Sequence, residues 1–132
     1  MSLQISQKLG IHNVIAANFF NIGVIYDVLG KYKKALEYCS KSLQYNEEVG
    51  NKYDIAFSKN IIGGIYRKLG DLDKALSFTD GSFRMAKEGN MDEIVKSNYF
   101  TNSEIFFDKG DFKKSLEYYK LYSELKDILF NK

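Results

Sequence analysis

Reactive side chains are few in this 132-residue chain. It has one histidine, His12, and one cysteine, Cys39, for proton transfer or thiol chemistry near neutral pH. His12 stands beside Gly10, between Ile11 and Asn13, and reads as a surface residue rather than a general base. Cys39 occupies a place taken by Thr79 and Tyr119 further along, which reads as a helix-packing position holding an inert thiol. Asp71 and Asp73 have the types of a metal pair, but Asp71 follows Gly70 as Asp111 follows Gly110, where each fits a helix N-cap. There is no phosphate loop, zinc cluster or calcium loop. The sequence therefore predicts no catalytic residue, no metal and no cofactor. What remains is recognition chemistry. Asn60, Gly64 and Arg67 stand at i, i+4 and i+7 on one helical face, and the glycine leaves room for a ligand backbone between an amide and a guanidinium. A solvated polar stripe would have the same spacing.

The elements that carry these residues are marked by glycine. Six of the ten glycines stand at 10, 30, 50, 70, 89 and 110, so a helix-ending residue recurs about every twenty positions. The spacing predicts helices near 2–9, 11–29, 31–49, 51–69, 71–88, 91–109 and 111–131, joined in pairs. Ser2-Leu3-Gln4 and Leu9-Gly10 repeat the spacing of Ser42-Leu43-Gln44 and Val49-Gly50, so residues 1–10 read as the remnant of a preceding helix. Sliding the sequence by forty aligns Tyr26, Gly30, Tyr32, Lys34 and Ala35 with Tyr66, Gly70, Leu72, Lys74 and Ala75. The same shift again reaches Phe106, Gly110, Phe112, Lys114 and Ser115. Self-similarity at such a period is the signature of a solenoid. One domain over residues 1–132 is expected, with repeats at about 11–50, 51–89 and 90–132.

Composition narrows the partners. The chain has no proline, is 45% hydrophobic, and balances 19 basic against 17 acidic residues for a formal net charge of +2. The charges interleave along the helices, as in Lys33-Lys34 with Glu37, so no basic face for nucleic acid is expected. Val14 to Leu29 is the most apolar stretch, but Asn18, Asn21 and Asp27 interrupt it, so the chain is not expected to span a membrane. Met1-Ser2-Leu3-Gln4 has no signal-peptide pattern.

These residues resemble the tetratricopeptide repeat. Phe19, Ile22-Gly23, Tyr26, Leu29-Gly30 and Ala35 follow its consensus in the first repeat; Ile62-Gly63, Tyr66, Leu69-Gly70 and Ala75 follow it in the second, where Lys59 replaces the bulky residue. The third keeps Tyr99, Phe106, Gly110 and Ser115 but has Asn102-Ser103 in place of the apolar-glycine pair. The period of forty exceeds the usual thirty-four, which lengthens each helix pair by roughly 9 Å at about 1.5 Å per residue. The closing proline is absent, and Gly50 and Gly89 stand in its place. This is similar to the long-helix subclass of bacterial regulators and of cargo or polarity adaptors.

The resemblance implies an all-α superhelix of antiparallel helix pairs. Gly23 and Gly63 are expected at close helix contacts opposite Ala35 and Ala75, and Tyr26, Tyr66 and Phe106 in the seams between repeats. It also implies a non-enzymatic scaffold that binds a protein or peptide in a concave groove lined by the first helix of each pair. In that register the groove is formed by Phe20, Val24 and Asp27, then Phe57, Asn60, Gly64, Arg67 and Lys68, then Phe100 and Glu104. The positions with which co-chaperone members clamp a terminal carboxylate hold Phe20, Val24, Ile61, Ser97 and Thr101, so that partner is not expected. The segment from Ser115 to Asn131 is similar to the last repeat of bacterial multidomain sensors such as histidine kinases, which implies the interaction or sensory module of a larger signalling protein. A free-standing adaptor and a self-assembly module are the alternatives. Apolar residues wrap widely around the final helix, and Tyr119, Tyr122, Leu125 and Leu129 are expected to form an end-to-end interface in a weak homodimer.

Overall fold

The computed structural model describes residues 3–132. They form six helices: α1 (Leu3–Val28), α2 (Tyr32–Val49), α3 (Lys52–Lys68), α4 (Leu72–Glu88), α5 (Asp92–Asp108) and α6 (Phe112–Phe130). The helices pack as antiparallel pairs, α1 with α2, α3 with α4 and α5 with α6, and each pair stacks on the next through α2 on α3, α4 on α5 and α3 on α5. The chain is thus an all-α solenoid.

One device turns the chain inside every pair. Gly30, Gly70 and Gly110 take φ of 76°, 86° and 80°, a left-handed conformation that needs no Cβ. Each glycine N–H donates three residues back, and the following N–H donates to the carbonyl of Tyr26, Tyr66 or Phe106, which closes a Schellman motif. The next helix is started by Asp71 or Asp111, whose carboxylates accept from the backbone N–H of Lys74 and Lys114 at 3.2 and 3.1 Å. Asn51 caps α3 in the same way after Gly50, accepting from the Asp54 N–H at 3.1 Å.

Two glycines behave otherwise than the spacing predicts. Gly10 ends nothing, because α1 runs unbroken from Leu3 to Val28 and the expected remnant helix over 1–10 is its first turns; Met1 and Ser2 lie outside the described residues. A single mid-helix glycine costs only about 1 kcal/mol, less than a broken turn with no packing of its own. The last inter-repeat turn is made by Asn90, at φ 54°, while Gly89 keeps φ −90°. Asparagine is among the few side chains that tolerate this region.

The core explains the repeated small residues. A Cβ on Gly23 would lie 2.5 Å from the Cys39 Sγ and 3.3 Å from the Ala35 carbonyl; one on Gly63 would lie 2.6 Å from the Thr79 methyl and 3.1 Å from the Ala75 carbonyl. Ala35 and Ala75 are fully buried on the facing helices. The repeated aromatics do not fill seams between repeats but stack inside each pair. Tyr26 lies on Tyr38, Tyr66 on Phe78 and Phe106 on Tyr118, all at 5.5 Å, because the Schellman turn brings the helix end back over the start of the next helix. Lys34, Lys74 and Lys114 then cover the rings at 5.9, 5.5 and 5.1 Å, which accounts for a lysine four residues after each turn glycine.

In the third repeat, hydrogen bonds replace apolar packing. Thr79 donates to the Asn102 Oδ1 at 2.7 Å, and Ser115 donates to the Ser103 carbonyl at 2.7 Å. Between repeats the fully buried Asn98 donates to Asn60 at 2.9 Å and to the Ser82 hydroxyl at 3.0 Å, and Ser82 donates in turn to the Ala56 carbonyl. Ser42 makes the equivalent bond to Ala16 one repeat earlier.

Candidate partner-binding groove

The residues expected to line a groove fall along α1, α3 and α5, the first helices of the three pairs, but the structure sorts them into two groups. The charged ones bind one another. Asp27 accepts from Lys68 at 2.8 Å, and Arg67 reaches Asp108 at 2.9 Å and Glu104 at 3.2 Å. Lys68 also sits 5.5 Å from the Tyr32 ring. These contacts link the C-terminal ends of α1, α3 and α5 to one another. Asn60 is not free either. It is buried, and its side-chain oxygen receives the Asn98 bond. The expected Asn60, Gly64 and Arg67 clamp is therefore not assembled, although Gly64 does face open space, with nothing within 4 Å of a Cβ built there.

The aromatic group remains open. Phe20 meets Phe57 at 5.5 Å, and Tyr53 stacks on Phe57 at 6.4 Å. With Asn13, Ala16, Ala17, Asn21, Ser42, Asn46 and Asp54 they enclose a cleft of about 410 Å³ between α1 and α3, floored by α2. Tyr53 and Phe57 keep 49% and 37% of their surface, a large apolar exposure for rings that could have packed inward. Asn46 is 4% exposed, lines the cleft, and makes no side-chain hydrogen bond with the described residues. An amide on the cleft floor with no side-chain partner among the described residues offers an NH2 donor group and a carbonyl acceptor to a guest. Neither Asn46 nor Tyr53 was legible as a site residue, because only the first helices were expected to contribute and Tyr53 lies a turn before the groove register. A second cleft of about 410 Å³ lies toward the C-terminus, between α5 and α6, where Phe100, Phe107 and Tyr119 surround the Arg67 ion pairs.

On the opposite side a cleft of about 470 Å³ lies among α4, α5 and α6. Its walls are already paired, Thr79 with Asn102 and Phe106 with Tyr118, so it has less to offer a ligand. Val24 lies half-buried on α1 and lines none of these clefts. The expected end interface is largely turned inward: Leu125 packs on the core of Ala56, Ala86, Ile94 and Val95, and Tyr122 lies 5.0 Å from Phe100. Leu129 is half-buried, and of the four only Tyr119 is well exposed. The cause is that α6 must cover α5 with the very stripe in question. Besides Tyr119, it leaves Phe112, Leu116, Leu121, Ile128 and Phe130 outside.

The reactive residues are accounted for by packing. His12 is not a surface residue beside a turn but lies inside α1, edge-on to Tyr45 at 5.2 Å and with Nδ1 3.0 Å from Glu48. Cys39 is fully buried against Gly23, and burial, helped by the charge of Asp27, pushes its thiol up from 9.0 to about 11. A thiol that stays protonated at neutral pH is a poor nucleophile. Asp73 pairs with Lys109 at 3.1 Å, and no cluster of metal-ligating groups occurs among the described residues.

Comparison with known proteins agrees with this architecture. The family model of the tetratricopeptide repeat matches residues 13–88. The crystal structure of the TPR domain of Arabidopsis FLU superposes with a TM-score of 0.82 over 89% of this chain and 98% of that one, at 13% sequence identity. No curated protein matches in sequence.

Proposed function

The chain belongs to the tetratricopeptide repeat family, whose modules are in general non-catalytic protein-interaction scaffolds, and on that premise we propose that it binds a protein segment through the cleft between α1 and α3. The observation that carries the reading is the amide of Asn46 at the floor of the cleft beneath the rings of Phe20, Tyr53 and Phe57. Rings that already touch at 5.5 and 6.4 Å form a rigid apolar wall at little conformational cost, suited to one bulky apolar side chain of the guest. The Asn46 amide can then pair with the guest backbone on both its N–H and its C=O side. Among the described residues Asp54 is the only charged side chain lining the cleft, so the guest is recognised by apolar anchor and backbone rather than by a terminal carboxylate. Helix α1 is long and apolar enough by length and composition to cross a membrane, but asparagines interrupt it and it packs along α2, and the charges of the chain interleave, so the partner proposed is a protein segment rather than a bilayer or a nucleic acid.

A displayed library of random peptides, selected on the purified protein, tests this. Selected peptides should share one aromatic or large aliphatic anchor. Phe57→Glu should abolish their capture and Asn46→Ala should weaken it by about tenfold, the loss of one or two hydrogen bonds. Binding that survives both substitutions would move the site away from this cleft. The similarity of the last helix to bacterial sensors supports the finer reading, an interaction or sensory module of a bacterial signalling protein.

A further inference from the structure

The side of α1 turned away from α2 carries Ile11, Val14, Asn18, Asn21, Ile25 and Val28, spaced three, four, three, four and three apart. All six are exposed, and Ile11, Val14, Ile25 and Val28 keep 59%, 60%, 58% and 80% of their surface. No acidic, lysine or arginine side chain occurs between Lys8 and Asp27. The spacing is that of a helix seam that packs on another helix. Eighty residues on, the same register gives Ile94, Asn98, Thr101 and Ile105 of α5, which are buried where α5 meets the preceding pair. At its four inner positions, then, α1 presents the surface with which one repeat stacks on another. Among the described residues nothing covers it.

The order of residues along the seam says what fits. From either end it reads apolar, apolar, amide, amide, apolar, apolar, with its midpoint between residues 19 and 20. Laid antiparallel on a copy of itself, Asn18 meets the partner's Asn21, Val14 meets the partner's Ile25, and Ile11 meets the partner's Val28. Every pairing is reciprocal, which is the condition for a two-fold interface. The four amides then gather at the axis and bond one another, and a register slip by a turn would set them against apolar side chains at a desolvation cost. Val14 and Val28 take the places that leucine fills in a parallel two-stranded seam, and the antiparallel order also opposes the two helix dipoles favourably. We infer that the chain self-associates as a two-fold dimer through antiparallel pairing of α1, with Asn18 and Asn21 setting the register. The paired stretch is about 26 Å long at 1.5 Å per residue, a small interface, so the dimer is weak and reversible.

Sedimentation velocity over a concentration series, with a charge exchange across the seam, tests the geometry. The native chain should dimerise at high micromolar concentration. Val14→Glu alone and Ile25→Lys alone should each raise the dissociation constant at least about tenfold. The double variant should restore it to near the native value, because only antiparallel pairing sets residue 14 against the partner's residue 25. The changed side chains are exposed, so helical ellipticity should not move. A native chain that stays monomeric, or a double variant no better than the single ones, overturns the proposal. So does flotation of a monomeric native chain with phosphatidylcholine vesicles, which would assign the apolar face to a lipid surface.

Discussion

Gly63 and Gly64 are neighbours in the same helix, and the structure gives them opposite roles. The test is to replace each by alanine. Both substitutions gain the same helix propensity, about 1 kcal/mol in a helix interior. The difference lies in what the new methyl meets. At Gly64 there is nothing within 4 Å, so the gain is kept and Gly64→Ala should stabilise the fold by about 0.5–1 kcal/mol. At Gly63 the methyl would lie 2.6 Å from the Thr79 Cγ2 and 3.1 Å from the backbone oxygen of Ala75. The Thr79 side chain cannot turn away without losing its bond to Asn102, and the backbone oxygen cannot move without displacing α4. Overpacking of this kind costs about 1–3 kcal/mol. Because the propensity gain cancels between the two variants, their difference in stability measures the clash itself.

That difference should be about 1–3 kcal/mol, which for a chain of this length corresponds to roughly 3–10 °C in melting temperature. Thermal and urea unfolding followed by ellipticity would read it. Leucine sharpens the contrast, since Gly64→Leu should fill the open face without unfolding the chain, whereas Gly63→Leu should unfold its repeat. Equal effects at the two positions, or a Gly63→Ala variant more stable than the native protein, would refute the close approach of α3 and α4 on which the pairing rests.

Two further predictions concern the interior. The Cys39 thiol is raised from 9.0 to about 11, so below pH 9 both folded and unfolded chains keep its proton; from 9 to 11 the unfolded chain releases it and the folded one does not. Stability should therefore fall as pH rises through that window, and a Cys39→Ala variant compared with the native chain should show a shallower fall. Thr79→Val keeps the shape but leaves the buried Asn102 oxygen without its donor, and should cost about 1–3 kcal/mol in urea unfolding. Adding Asn102→Ile, the residue type that Ile22 and Ile62 supply in the earlier repeats, should recover most of that loss; a double variant as unstable as Thr79→Val alone would show that the hydrogen bond is not what the site depends on.

The fold was legible because its cues are local and recur three times. Turn glycines, N-caps and the small residues at helix crossings each depend on a few neighbouring atoms, so spacing alone locates them. Gly10 shows where that logic ends. A glycine permits a helix to stop, but α1 continues because nothing draws the following residues elsewhere. The turn at Asn90 makes the same point, since the left-handed conformation falls on Asn90 and not on the adjacent glycine, where a Cβ would lie 2.7 Å from the Met91 side chain.

The groove was only half legible for a reason of a different order. The register along α1, α3 and α5 says which residues share a face, but not how far apart successive helices lie or which side chains reach across. Arg67 and Lys68 are spaced like ligand-binding groups, yet their carboxylate partners come from residues thirty-seven to forty-one positions away. Such long polar side chains span the gap between neighbouring repeats and satisfy one another. The rings of Phe20, Tyr53 and Phe57 cannot be used up in that way, because contact with one another still leaves their edges and faces in solvent. On a concave solenoid face, then, charge that is free in sequence is consumed by the scaffold, and the aromatic surface with the cleft-lining amide of Asn46 is what is left to recognise a partner.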